Sequence, residues 1–244
     1  MFFATPNEYS RFKLIKRLLK KISLSRGLEC LEIGCGNGSF ISNISSYCFK
    51  MTGIDISDKA AQVAQKNNPL ADISKKSLLE VKDKYDVVFC FEVLEHIEND
   101  VEAIRKIPQL IKDGGFCICS VPAHASLYHD VVDKHYGHFR RYEKREFMDL
   151  LQLNNLKVID FWSYGLRSAS ILAKAFFSYR EKSGVRFGGI GDDFTEVRYP
   201  WYWEKLIYPV ASMMYPLIYF YESLFLKSDR GNSYLILCRK EKDS

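Results

Sequence analysis

LEIGCGNGSF, residues 31–40, sets three glycines at alternate positions directly behind a short apolar run. Glycine costs backbone entropy, so three in a row of alternate sites imply a turn that something approaches closely. A strand that leaves through a glycine loop into a helix presents unpaired helix-terminal amides, a ready site for an anion or a cofactor. The dinucleotide fingerprint G-x-G-x-x-G would need its third glycine where Ser39 stands, and a phosphate-loop ending G-K-S/T is absent. The pattern is instead E-x-G-x-G-x-G, with Glu32 at the strand end.

Upstream of this loop, Phe12, Ile15, Leu18, Leu19 and Ile22 recur at helical spacing with basic residues between them, which predicts an amphipathic helix. Downstream, KMTGIDI reads as a second strand, and Ser57 as the N-cap of the helix DKAAQVAQKN. ADIS is a weak third strand, and YDVVFCF is a continuous apolar run suited to a strand buried on both faces. Asn99 or Asp100 is expected to cap VEAIRKIPQLIK, with a break at Pro108. Asp113-Gly114-Gly115 reads as a turn ahead of the strand FCICSVP. Regular alternation of strand and helix predicts an α/β fold, a doubly wound parallel sheet with helices on both faces. Ligands of such sheets lie outside the carboxyl ends of the strands, where strand order reverses.

After Pro122 the pattern changes. A polar, histidine-rich loop, AHASLYHDVVDKHYGHFRRY, leads to the helix EKREFMDLLQLNNL and the strand KVIDFWSYG. A long aromatic segment follows, and GNSYLILCRK closes the chain as a last strand. The expected division is an N-terminal helix over 1–26, a core over 27–165, an aromatic helical insertion over 166–230 and a final core strand over 231–244.

The bulk composition is that of an ordinary globular chain, and the net charge of +5 favours anionic partners only weakly. Seven cysteines, an odd number, without a CxxC, argue against both a disulfide framework and zinc. The first residues lack the charged start and apolar run of a secretory signal, so a reduced, cytoplasmic setting is expected. No basic–aromatic groove pattern points to nucleic acid.

Asp55 follows the second strand about twenty residues past Gly34, where an acid that accepts two ribose hydroxyls belongs. At this point LEIGCGNGSF, GIDIS, YDVVFCFEVLEHIEND and YGHFRRYEKREFMDLL, in this order, resemble the class I S-adenosylmethionine-dependent methyltransferases. The resemblance is to the branch that holds ubiquinone-pathway, saccharide and lipid O-methyltransferases. It implies a Rossmann-like seven-stranded sheet whose last strand is antiparallel. It also implies that Gly34, Cys35, Gly36 and Gly38 form the loop against S-adenosylmethionine, and that Glu32 organises that loop and the cofactor's amino group. Asp55 would bind the ribose, Ile56 would pack on adenine, and Ser77 and Leu78 would stand at the adenine edge. Phe91 would offer its carbonyl to the methionine amine. The family usually has an acid where Ser77 stands.

Methyl transfer from a sulfonium needs alignment of nucleophile, methyl and sulfur, and removal of a proton when the nucleophile is a hydroxyl. Histidine titrates near neutrality and suits the second task. His96 in EVLEH, His124 after the fifth strand and His138 in GHFRRY are the candidates, with His129 and His135 in the same loop. Glu92, Glu95 and His96 resemble a divalent-metal site proposed for the ubiquinone-pathway relatives. Local hydrogen bonding is the favoured reading, so no metal is expected.

The insertion carries WYWEKLIYPVASMMYPLIYFYESLFLKS, which Pro209, Pro216 and Glu222 disqualify as a membrane span. A wall of the acceptor pocket, a homodimer surface and a membrane-surface contact through 201–227 stay open, the first two favoured. GVRFGGIGDDF within the insertion reads as a loop. The expected activity is O-methylation of a small or lipid-linked acceptor, such as a saccharide, glycolipid or phenol. N- or C-methylation and an inactive cofactor-binding subunit are the alternatives, and a dinucleotide oxidoreductase is disfavoured by the glycine spacing.

Overall fold

The structure, a computed structural model, describes residues 6–22, 27–127, 133–134, 136–166 and 208–241. At its centre β1 (Glu29–Ile33) pairs in parallel with β2 (Lys50–Asp55) on one side and β4 (Tyr85–Phe91) on the other. β3 (Asp72–Lys75) extends the sheet beyond β2, and β5 (Ile111–Pro122) extends it beyond β4, both in parallel. β7 (Gly231–Lys240) inserts antiparallel between β5 and β6 (Leu156–Leu166), giving the order β3-β2-β1-β4-β5-β7-β6. This is the expected doubly wound, Rossmann-like, seven-stranded sheet. Strand order reverses between β1 and β4, which opens the ligand crevice at their carboxyl ends.

The continuous apolar run of β4 follows from its two covered faces. Phe89 and Phe91 point into the layer formed by α1 (Pro6–Lys21), α2 (Ser39–Ile44) and α3 (Asp58–Asn67). Val88 and Cys90 point into the layer under α4 (Asp100–Lys106) and α5 (Lys144–Gln152). α1 buries Phe12, Ile15, Leu18 and Leu19 of the stripe its spacing predicts, and Leu14 besides. Ser57 caps α3 by accepting from the Ala60 amide at 3.2 Å, and Asn99 caps α4 by accepting from Glu102. α4 gives way to a 3-10 turn over Ile107–Leu110, at the proline.

One local expectation is corrected. Asp113-Gly114-Gly115 is not a turn between elements but a bulge inside β5. Pairing jumps from Tyr85–Ile111 to Val87–Phe116, and Gly114 takes φ +77° where the extra residues loop out. The Lys240 ammonium holds the bulge through Asp113 at 3.1 Å.

Of the aromatic insertion, α6 (Tyr208–Ser223) and residues 224–230 are described; α6 packs on α1, with the Tyr9 ring 6.0 Å from Tyr215 and 6.3 Å from Tyr219. No helix among the described residues is long and apolar enough to cross a membrane. Trp201, residues 184–194, His129 and His135 lie outside the described residues.

Candidate active site

The chain leaves β1 through left-handed backbone, with φ of +68° at Gly34, +53° at Gly36 and +76° at Gly38. Only glycine takes this region without cost. A Cβ on Gly34 would lie 2.4 Å from Val93 Cγ2, so that glycine is also needed for packing. A Cβ on Gly36 would meet nothing within 4 Å. Gly36 therefore borders open space on the crevice side of the loop. The Gly34 and Cys35 amides donate to the Ile54 carbonyl, and the Gly36 amide donates to Asp55 Oδ2 at 2.9 Å. The other Asp55 oxygen accepts from Ser57 N at 2.9 Å. Each oxygen keeps acceptor capacity beyond that one bond. Ile56, beside it, is 78% exposed. The Cys35 thiol is pushed up to about 12 by burial and by Glu32 and Asp55, so it stays protonated and contributes packing.

Behind the loop, Glu32 is only 4% exposed and its Oε2 has no hydrogen-bond partner among the described residues. Burial raises its pKa well above the ordinary carboxylate range, against the pull of Arg11. Arg11 reaches the crevice from α1, with its guanidinium 5.8 Å from the Phe91 ring centre and 3.6 Å from Glu92 Oε1. Ser120 Oγ donates to the same Glu92 oxygen at 2.7 Å, and the buried Tyr164 hydroxyl bonds within this group. Arg11 was not singled out by sequence reading. The signal was there, since Arg11 shares a helical row with Ile15, Leu18 and Ile22 and so puts a charge in the apolar stripe.

Two non-glycine residues also take left-handed backbone here, Glu92 at φ +53° after β4 and His124 at +61° after β5. Such strain costs on the order of 1–3 kcal/mol and collects where a fold positions ligands. Ser77 caps the 3-10 turn Leu78–Glu80, accepting from Leu79 N at 3.3 Å while its own amide donates to Glu80 at 2.7 Å. Leu78 is buried in the core. The side chains of both are thus committed locally.

The histidines separate. His124 is buried with Nε2 3.0 Å from the Gly231 carbonyl and its ring against Tyr234, so it serves the start of β7. His96 and His138 come together, ring centres 4.9 Å apart and edge to face. His96 Nδ1 lies 3.1 Å from the Gly137 carbonyl, which requires a proton on Nδ1 and leaves the lone pair on Nε2. His138 Nδ1 lies 3.0 Å from the buried Asp133 carboxylate, which also accepts from Arg141 Nε at 2.8 Å. The pKa of His96 is lowered by partial burial and by His138. Glu95 sits beside the pair, fully buried, with neither carboxylate oxygen hydrogen-bonded among the described residues, and burial and Glu92 raise its pKa well above the ordinary range. Donor atoms of Glu95, His96 and His138 lie within 4.8 Å of one another. Of Glu92, Glu95 and His96, Glu92 bonds to Arg11 and Ser120, and His138 stands with the other two. The rest of GHFRRY is a clamp. Arg140 and Tyr142 both donate to Asp100 of α4, Tyr142 at 2.8 Å.

The model of one protein family, described as a methyltransferase domain, matches residues 7–160. The chain is 36% identical over 99 residues to the ubiquinone biosynthesis O-methyltransferase of Rickettsia bellii, covering 38% of this chain and 41% of that one. It is 33% identical over 102 residues to the enzyme of the same name from Nitrosospira multiformis, covering 38% and 43%. The matched segment thus spans about two fifths of these relatives. Among solved structures, the N-methyltransferase NodS from Bradyrhizobium japonicum, in complex with S-adenosyl-L-homocysteine, superposes with a TM-score of 0.57 at 20% identity, over 68% of this chain and 84% of that one. The [4+2]-cyclase SpnF superposes with a TM-score of 0.61 at 17% identity, over 94% and 81%. At these identities the likeness is one of fold.

Proposed function

We propose, from the premise that this chain belongs to the methyltransferase-domain family, that it transfers a methyl group from S-adenosylmethionine to a hydroxyl of a small or lipid-linked acceptor. The observation that carries the cofactor reading is the buried Glu32 carboxylate, whose Oε2 has no hydrogen-bond partner among the described residues, behind a glycine loop that is open at Gly36. A buried carboxylate oxygen without a hydrogen bond suits an incoming ammonium. The bound cofactor supplies an electrophilic methyl on a sulfonium and departs as a neutral thioether. Asp55 accepts the two hydroxyls of a vicinal diol, and exposed Ile56 covers a planar base. Glu32 takes the ammonium and Arg11 the carboxylate of the amino-acid end. His96 accepts the hydroxyl proton at Nε2, and His138, oriented by Asp133, shapes that site.

Calorimetric titration with S-adenosyl-L-homocysteine tests this reading. Wild type should bind it and should not bind nicotinamide dinucleotides. Asp55→Ala should weaken binding roughly thirty- to 160-fold, the effect of losing about 2–3 kcal/mol of charge-assisted hydrogen bonding. Absence of binding by folded wild type overturns it. Binding without turnover on any hydroxyl acceptor would favour N- or C-methylation or a cofactor-binding subunit, a distinction that matters because a cyclase shares this fold.

A further inference from the structure

α6 is apolar on both sides. Tyr215, Tyr219 and Glu222, at i, i+4 and i+7, face α1 and the core, and Glu222, the one charged residue of the helix, is buried. Diametrically opposite, Met213, Leu217, Phe220 and Leu224 form a second row that points outward, with Leu217 61% and Phe220 65% exposed. Met214 and Tyr221 widen it, also more than half exposed. A contiguous apolar row on an outer helix face marks an interaction surface. The sixteen-residue helix is about 24 Å long, too short to span a bilayer and long enough to lie on one.

The surrounding charge is positive. Lys13 of α1 caps the Tyr9 ring at 5.3 Å, and Tyr9 is the ring against which α6 packs. At the other end Arg230 lies over Phe225 at 5.5 Å, and Phe225 stacks on Tyr221. Arg17 and Lys20 are exposed on α1, whereas Lys21 and Lys227 are matched by Asp160. A twofold contact between two copies would set these cations against one another. An anionic lipid surface complements them and takes the apolar row into its headgroup boundary.

From the uncharged outer row of α6 and its cationic flanks we propose that this protein docks on anionic membranes through α6, with Met213, Leu217, Phe220 and Leu224 inserted and Lys13 and Arg230 at the headgroups. The inference does not depend on methyl transfer, and its readouts involve no turnover.

Flotation of the full chain with vesicles tests it. Vesicles of equal parts phosphatidylcholine and phosphatidylglycerol should carry the protein up, pure phosphatidylcholine much less, and high salt should release it. Leu217→Glu/Phe220→Glu should cut binding at least roughly tenfold, since charges on the inserted face are costly. Leu153→Glu, at an 82% exposed leucine after α5, should not. Lys13→Ala/Arg230→Ala, which touches no core residue, gives a second reading should the first pair fail to fold, and should weaken binding to anionic vesicles. Folded wild type that stays with the soluble fraction overturns the proposal. So does flotation that survives both double variants. A salt-stable dimer that Leu217→Glu/Phe220→Glu converts to monomer, without flotation, would assign the row to a second copy.

Discussion

The imidazoles of His96 and His138, one after β4 and the other in the GHFRRY segment, meet edge to face with ring centres 4.9 Å apart. Each commits Nδ1 to an acceptor, a main-chain carbonyl for His96 and a buried carboxylate for His138. Ligand atoms of both rings lie within 4.8 Å of one another and of the buried Glu95 carboxylate.

The rate of methyl transfer should rise with pH through a midpoint below 6.5, because burial and the neighbouring His138 lower the His96 pKa and only the neutral ring accepts a proton. His138→Gln removes that neighbour and should move the midpoint up. His96→Gln should lower kcat by roughly 10²–10⁴ and leave S-adenosyl-L-homocysteine affinity unchanged. Chelation of divalent cations with EDTA should not change the rate. Profiles of kcat against pH for the three proteins, with and without EDTA, decide this.

Glu32 and Glu95 have folded-state pKa values raised above 4.5 by burial. The folded protein then holds protons that the unfolded chain has released, so stability is fully present below pH 4.5 and falls as pH rises toward the folded values. The slope is at most about 1.4 kcal/mol per pH unit for each group. Glu95→Gln should flatten this decline and raise stability at neutral pH. Urea titrations at pH 5 and pH 8 read the difference.

The two loop glycines should separate in their effects. Gly34→Ala drives a methyl into Val93 as well as forcing left-handed backbone, and should lower stability by about 2–4 kcal/mol. Gly36→Ala carries the backbone term alone, about 1–2 kcal/mol, because its Cβ meets open space. Gly36→Ala should nevertheless abolish cofactor binding as fully as Gly34→Ala does. Thermal melts beside calorimetry test the pair.

Asp100 joins α4 to the GHFRRY segment by accepting from Arg140 and Tyr142. Tyr142→Phe should cost about 1 kcal/mol, since Arg140 remains. Asp100→Ala strands a buried hydroxyl and a partly exposed cation and should cost about 2–3 kcal/mol. It should also raise the KM of the acceptor more than that of the cofactor, because the loop it anchors carries His138. Equal changes in both KM values would refute the clamp.

Much of this molecule was legible in one dimension because its signals are local. The continuous apolar run of β4, the caps at Ser57 and Asn99 and the left-handed glycines after β1 each depend on a few neighbouring residues. The alternation of strand and helix then fixed the doubly wound sheet, since few topologies bury such a pattern. The position of Asp55 beside the glycine loop was readable for the same reason, since it is set by distance along the chain from Gly34.

Tertiary structure decided what depends on partners far apart in sequence. Histidine identity alone left His96, His124 and His138 equivalent; the fold turned His124 toward Gly231 and brought the other two together. Glu92 leaves β4 on left-handed backbone and its carboxylate pairs with Arg11 and Ser120, while His138 arrives from a distant segment to join Glu95 and His96. Ser77 was drawn into a capping box with Glu80, and the glycines at 114 and 115 into a strand bulge. Composition alone would put the α6 row that carries Glu222 outside, and only packing against Tyr9 shows that this row is buried and the uncharged one exposed. Periodicity states that a residue shares a face with others; which surface meets that face is a property of the whole chain's packing.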